Sequence, residues 1–256
     1  MEHKHLLLLV CLLSVGCSPS AEELISGMQR AHVTSYAFDL AIESEVVASA
    51  ERSVTSEVSM QGEVDVANRR MHAVQTTNAG FQGMTAVVET ESYVVGDQLF
   101  LKAQDQWMLL PVDAWTSYDR LSQVISLVQN STDIEVHEES DYYLLDIRPD
   151  LAHAMQFLAA QQELSEFMEG GVARHNLSAT LFVHKDTFVT ERAIAEMRLS
   201  LDRLDVQARV DVRLSDINEP VDIVLPAEAQ GAMRINDDAP TKMISVTGSV
   251  ISQELN

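Results

Sequence analysis

From Val189 the odd positions read Val189, Glu191, Ala193, Ala195, Met197, Leu199 and Leu201, with mostly charged or polar residues between them. After Asp202-Arg203 the even positions take over: Leu204, Val206, Ala208, Val210, Val212 and Leu214. Side chains alternate between faces along a strand, so this pattern predicts two long strands, each with one apolar and one wet face. A two-residue connection sets Leu201 beside Leu204 and Leu199 beside Val206, which brings both apolar faces together. It also sets Glu196 across from Arg209, an opposite-charge pair that supports the register. Asp-Arg is not a favoured tight-turn pair, which leaves room for a longer loop.

The same period recurs upstream. Tyr36, Phe38, Leu40 and Ile42 alternate with polar or small residues, as do Val54, Val58, Met60, Val64 and Val66. Met71 to Thr77 reads as a third strand. Thr85 to Val95 and Gln98 to Ala103 flank Gly96-Asp97, a favourable hairpin turn that pairs Val94 with Leu99 and Glu91 with Lys102. Trp107 to Leu110, the pair Ile134 to Glu138 and Tyr142 to Ile147, and Leu177 to Val183 complete the strand-like stretches. Three stretches carry a helical stripe instead. Ala21 to Val33 has Ser20 as N-cap and Leu24, Ile25, Met28 and Ala31 on one side. Asp113 to Val128 places Ala114, Tyr118, Leu121, Ile125 and Val128 together. The third is opened by Pro149, carries Leu151, Met155, Phe157, Leu158 and Leu164, and is stopped by Gly170-Gly171. Roughly ten strands and three helices in one block predict an α+β fold built on an antiparallel sheet. One domain is expected over 21–232, with 233–256 forming either an edge strand near Ile244 to Val250 or a tail.

The first residues carry a different signal. Leu6 to Leu13 is an apolar run preceded by Lys4, too short to span a bilayer as a helix and of the length of a signal-peptide core. Leu13-Ser14-Val15-Gly16-Cys17 follows, and resembles a prokaryotic lipoprotein signal, in which a small residue precedes a Cys that is lipidated and becomes the first residue after cleavage. Ser14 departs from that pattern, which usually has an aliphatic residue there. Residues 1–16 are thus expected to be a signal peptide and 17–20 a lipidated Cys17 with a short tether; an ordinary signal peptide with an incidental Cys is the alternative. Cys11 would leave with the signal, so an internal disulfide or a Cys-based catalytic centre is excluded from the remaining chain.

Charge narrows the partners. The 256-residue chain has a net charge of −22, which argues against nucleic acid, since phosphate recognition needs clustered Lys and Arg. It argues equally against broad electrostatic attachment to an anionic bilayer. Acyl chains on Cys17 would hold the domain at a membrane despite this charge, each buried methylene contributing ~0.8 kcal/mol. Hydrophobic residues make up 46% of the chain and aromatics only 5%, so the core must be aliphatic and rich in Met.

The lipoprotein-type signal, the first helix, the long alternating strands, the inserted helices and the closing run Asp216-Ile217-Asn218-Glu219-Pro220-Val221-Asp222-Ile223-Val224-Leu225-Pro226 together resemble mycobacterial lipoproteins of the LppX and LprG type, which share the LolA/LolB fold. The resemblance covers roughly 21–230 and implies a strongly curved antiparallel half-barrel with helices covering its concave apolar face. It implies lipid or acyl chains as the ligand, held between sheet and helices. On this reading Val58, Met60, Val64, Leu121, Ile125, Met155, Leu158, Met197, Leu199, Val206 and Val210 line the ligand space. The same residues would also serve as a filled core.

Motifs for chemistry are lacking. None of the eight histidines sits in a His-x-x-x-His spacing, and neither a Gly-x-Ser-x-Gly elbow nor a Gly-rich phosphate loop occurs. Glu135, Glu138, Glu139 and Asp141 read as a solvated hairpin edge. No catalytic residue, metal or cofactor is expected. The expectation is a lipid-anchored monomer on the extracytoplasmic face of a cell membrane, binding lipid as carrier or chaperone. Its rival is a ligand-free surface module acting through contacts with an unknown protein partner.

Overall fold

The computed structural model describes residues 19–49, 52–81, 84–103, 105–110, 115, 120–149, 172–201 and 205–235. Helix α1 (Ala21–Arg30) leads into β1 (Ser35–Ser49), β2 (Arg52–Asp65), β3 (Arg70–Phe81), β4 (Met84–Val95), β5 (Gln98–Ala103) and β6 (Gln106–Leu110). Helix α2 (Arg120–Gln129) precedes β7 (Ser131–Glu138), β8 (Tyr142–Pro149), β9 (Val172–His184), β10 (Thr190–Leu201) and β11 (Asp205–Ser215). A 3₁₀ turn at Ala227–Gly231 and a two-residue β12 (Met233–Arg234) follow. Among the described residues twelve strands join one open sheet in the order β12-β6-β5-β4-β3-β2-β1-β11-β10-β9-β8-β7.

The alternation read from the sequence sets the register. Leu199 pairs with Val206 and Glu196 with Arg209, whose guanidinium donates to the carboxylate at 3.0 Å. Val94 pairs with Leu99, and Lys102 lies 3.8 Å from Glu91 across the Gly96-Asp97 turn. Several strands outrun their pattern, β1 reaching Ser49 and β3 reaching Phe81, because backbone pairing continues where the apolar signal fades. One expectation is refined and one corrected. Pro149 itself ends β8, paired with Ser131, a strand-end position where its missing N–H is tolerated. The sheet is also not wholly antiparallel, since β12 runs parallel to β6 at its edge. The helix expected after Pro149 and the edge strand near Ile244 lie outside the described residues.

The helices sit over the β7–β9 end. Ser20 caps α1 as expected, and the Glu23 carboxylate accepts the Ser20 backbone N–H at 2.8 Å, which closes a capping box. These hydrogen bonds hold the Glu23 carboxyl below its ordinary pKa. Leu24 and Met28 of α1 and Val128 of α2 are buried with Leu145, Ile147, Leu181 and Val183 of the sheet. Burial of each such side chain contributes ~1.5–3 kcal/mol. Gly27 lets α1 close on Phe188, since a Cβ there would stand 2.5 Å from the ring.

The closing run, one of the features behind the family resemblance, links the α1–β1 connection to the β4–β6 region. Asn218, at φ +64°, accepts the Thr34 N–H at 2.7 Å and donates to the His32 carbonyl at 3.1 Å. The chain from Val221 then lies on the other face of the sheet at β4–β6. There Ile223 and Ala229 are buried with Tyr93 and Phe100, and Arg70 donates to the Ile223 carbonyl at 3.1 Å. Burial, followed by the neighbouring Glu91 carboxylate, pushes the Tyr93 phenol up to about 12.

Two stability outcomes follow. At Gly62 a Cβ would collide with the His72 carbonyl oxygen and stand 2.8 Å from the Phe38 ring, whereas at Gly231 nothing lies within 4 Å. Gly62→Ala is therefore expected to lower the urea-unfolding free energy by about 1–3 kcal/mol, with Gly231→Ala near neutral. On the wet face Arg192 grips Asp211 through two hydrogen bonds, at 3.1 and 2.7 Å, and these hold the Asp211 carboxyl below its usual range. A carboxyl depressed in the folded state stabilises above its unfolded pKa, and that stability is lost as the pH falls through the folded one. The urea midpoint of the native chain should thus decline more steeply below about pH 4 than that of Asp211→Asn.

Candidate functional site

Strand pairing converts the alternating pattern into rows that run across the sheet. One row reads Thr90, Gln75, Met60, Leu40, Val212, Ala193, Leu181, Leu145 and Val136. The next reads Val88, Thr77, Val58, Ile42, Val210, Ala195, Ala179, Ile147 and Ile134. Below it come Ala86, Ala79, Ser56, Ser44, Ala208, Met197 and Leu177. Val54, Val46, Val206 and Leu199 share a fourth row. No Asp, Glu, Lys or Arg occupies any of these positions, although the chain carries 39 acidic and 17 basic residues. The opposite face at the same level holds Glu43, Glu45, Glu57, Glu89 and Arg209. Across these rows charge has been sorted to one side.

The apolar side is not buried uniformly. Nearer the β1–β2 end carrying Tyr36 and Val64, the residues Phe38, Met71, Val94 and Leu99 are packed into a closed cluster. On β9 and β10, Leu177, Met197 and Leu199 are buried as well, together with Val206 of β11. Between these regions Val210, Ile42, Ser44, Ser56, Val58, Thr77 and Val88 are only half-buried, and Ala86 and Met84 are exposed. This strip of small, aliphatic and uncharged polar side chains across β11, β1, β2, β3 and β4 is the candidate site. A sheet surface open to water would normally alternate with charge, so an accessible strip without any is the physical mark of a face meant to be covered.

The residues expected to line a ligand space distribute as follows. Val58, Met60 and Val64 of β2, Met197 and Leu199 of β10, and Val206 and Val210 of β11 share the apolar face. Val58 and Val210 belong to the open strip, whereas Met60, Val64, Met197, Leu199 and Val206 are buried. Ile125 of α2 is half-buried against the β7–β9 cluster, away from that strip. Leu121 stands on α2 with its side chain outside the described residues, as do Met155, Leu158 and Cys17 entirely. The sequence reading missed Ser44, Ser56, Gln75, Thr77 and Thr90, polar residues at inward positions. The usable signal was the missing charge at every second residue from Tyr36 to Val46 and from Val54 to Val64.

The charged face holds a shallow depression of about 190 Å³ lined by Asp39, Leu40, Ala41, Ser59, Met60, Asp211 and Arg213. Its Asp39, Ser59, Asp211 and Arg213 side chains belong to the wet side, so it is not the space expected between sheet and helices. Glu135, Glu138, Glu139 and Asp141 are exposed along the β7–β8 hairpin. Among the described residues no three His, Cys, Asp or Glu side chains converge as a metal site, and no helix is long and apolar enough to cross a membrane.

Comparison with curated proteins finds no match. Among solved structures the chain is similar to LprF from Mycobacterium bovis, with 17% identity and a TM-score of 0.46 over 82% of this chain and 99% of that one. It is similar to the LolA superfamily protein NE2245 from Nitrosomonas europaea, with 10% identity and a TM-score of 0.27 over 78% and 95% of the two chains. Lipovitellin, in a structure described by its lipid-protein interactions, is similar at 12% identity and a TM-score of 0.40 over 76% of this chain and 26% of its own. Neighbours of the kind the sequence as a whole resembles, an LppX/LprG-type lipoprotein and a LolA superfamily protein, are thus among the structures similar to this chain. With TM-scores below 0.5, no ligand or role is carried over from them. The model of a family of unknown function, DUF6612, matches residues 20–233, and the chain belongs to that family.

Proposed function

We propose that this protein is held at the extracytoplasmic face of a membrane by lipid on Cys17 and binds lipid or acyl chains along the uncharged strip, as a carrier or chaperone. The observation that carries the reading is the strip itself: a half-buried, charge-free surface on a chain of net charge −22. Methylene chains laid on Val210, Ile42, Val58 and Val88 would remove apolar surface from water, at ~25 cal/mol per Å². In this reading helices complete the roof, α1 and α2 supplying its part over β7–β9, and the site residues on β2, β10 and β11 form its floor. The strip offers no ionisable side chain with which to begin acid-base or nucleophilic chemistry, so the role is binding rather than catalysis.

A module that works through protein contacts on its wet face would need an apolar patch there. The large apolar side chains exposed on that face of β3 and β4 are Val74 and Val87, separated by the polar pair Thr76 and Glu89. Single exposed valines are ordinary surface. The lipid reading is therefore the better supported.

Native mass spectrometry of protein taken from its own host should show a lipid adduct, and a clean apo mass would overturn the reading. Val58→Asn is expected to weaken binding of a fluorescent acyl probe at least tenfold, a loss of about 1.4 kcal/mol. Glu57→Gln, one residue away on the other face, should leave it unchanged. Cys17→Ala should move the protein from the membrane fraction to the soluble fraction; retention in the membrane pellet would refute the anchor.

A further inference from the structure

The uncharged face is not chemically uniform. Its β8–β11 half presents Leu145, Leu181, Ala193 and Val212 in one row and Ile147, Ala179, Ala195 and Val210 in the next, without a polar side-chain atom. Its β1–β4 half carries hydroxyls and an amide in these rows and in the row below, where the β9–β11 positions are Leu177, Met197 and Ala208. Ser44 faces Ser56 directly across β1 and β2, and Gln75 faces Thr90 across β3 and β4. Thr77 stands between them on β3, and the Gln75 amide donates to its hydroxyl at 3.0 Å. Strands lie ~4.8 Å apart, so from β1 to β4 this polar stripe is about 14 Å wide, the scale of a glyceryl diester or a hexose.

These groups are half-buried, not sealed in the core. Among the described residues the hydroxyls of Ser44, Ser56 and Thr90 make no intramolecular hydrogen bond, and Gln75 keeps its carbonyl and one amide hydrogen unused. Strand positions on an apolar face are ordinarily aliphatic, and a polar group there loses stability unless something satisfies it. A lone serine would be unremarkable, but five uncharged donors and acceptors on one contiguous stripe have the composition of a binding surface.

We infer that Ser44, Ser56, Gln75, Thr77 and Thr90 form a subsite for the uncharged polar part of a lipid — hydroxyl, ester or glycosyl — whose acyl chains run toward β9–β11. The inference rests on the lipid-binding reading and specifies its ligand. Charge decides the headgroup. A phosphate placed on this stripe would be desolvated with no Lys or Arg on any of the four rows to pair with it, a penalty of several kcal/mol. The net charge of −22 adds repulsion from the rest of the molecule. A neutral polar group meets neither cost and finds donors and acceptors at hydrogen-bonding reach.

The delipidated full-length protein is tested with dioleoylglycerol, monogalactosyl-dioleoylglycerol and dioleoyl-phosphatidylglycerol, which share acyl chains, as competitors of a bound fluorescent acyl probe. At least one of the two neutral lipids should displace it at a concentration tenfold or more below that required of the phospholipid. Preference for the galactolipid assigns the stripe to a sugar, and equal potency of the two neutral lipids assigns it to the glyceryl esters. Gln75→Leu with Thr77→Val should weaken the neutral lipids about tenfold and leave binding of hexadecane, which has no polar part, unchanged; Ser44→Ala with Ser56→Ala should do the same. Equal competition by the phospholipid, or undiminished neutral-lipid binding by both double variants, would overturn the subsite while leaving lipid binding standing. Failure of every lipid and of hexadecane to bind would remove the lipid-binding reading and this inference together.

Discussion

Everything in this molecule depends on the strands keeping their register, because a strand has only two faces and a slip of one residue exchanges them. On β1 such a slip would turn Asp39, Glu43 and Glu45 inward and Leu40 and Ile42 outward. Each buried carboxylate would cost several kcal/mol without a partner. The wet face resists the slip with pairs that form only in the native register: Glu196 with Arg209, Asp211 with Arg192, and Glu91 with Lys102. An exposed pair such as Glu196 with Arg209 contributes little to stability, commonly 0–1 kcal/mol. The larger effect of these pairs is to penalise the alternatives, since a shifted strand would leave like charges facing one another. Glu43 and Glu57 already face each other in the native pairing, so the register is carried by the apolar face and only trimmed by charge.

The sheet meets its burial requirement by three different devices. At β7–β9 two helices lie on it, with Gly27 giving α1 room to approach Phe188. At the β1–β2 end that carries Tyr36 and Val64, residues from outside the strands, Val33, Trp115, Ile217 and Ile235, pack onto the sheet cluster, and Gly62 makes space for the Phe38 ring. At β4–β6 the opposite face is covered by the chain after Val221, anchored through Ile223 and Ala229. The strip across β11 and β1–β4 receives none of these devices among the described residues, yet it carries no charge. Had it evolved to face water, the alternation on those strands would be charged on both sides.

This contrast connects the fold with the proposed role. A strongly acidic domain is soluble and is repelled by anionic surfaces, so lipid attachment and lipid uptake would both have to work through hydrocarbon and not through charge. The separation of charge to the wet face keeps that repulsion away from the strip. A rigid, fully paired sheet suits such a surface, since β1 is hydrogen-bonded on both sides and binding need not order the backbone.

The sequence alone determined the features written in local patterns. Period-two alternation announced the strands, the Gly96-Asp97 turn set the β4–β5 register, and Ser20 with Glu23 marked the start of α1. Sorting of charge to one face was also legible, because it requires only counting every second residue. Contacts between distant residues decided the rest. That Pro149 ends a strand, that β12 joins the edge in parallel, and that Val221 to Ala232 covers the wet face all depend on where remote segments come to lie. The same is true of the site: Val58 and Met60 read alike in the sequence, yet one is half-exposed and the other buried. Alternation specifies which face a side chain joins, and only the packing of the folded chain specifies whether that face is closed.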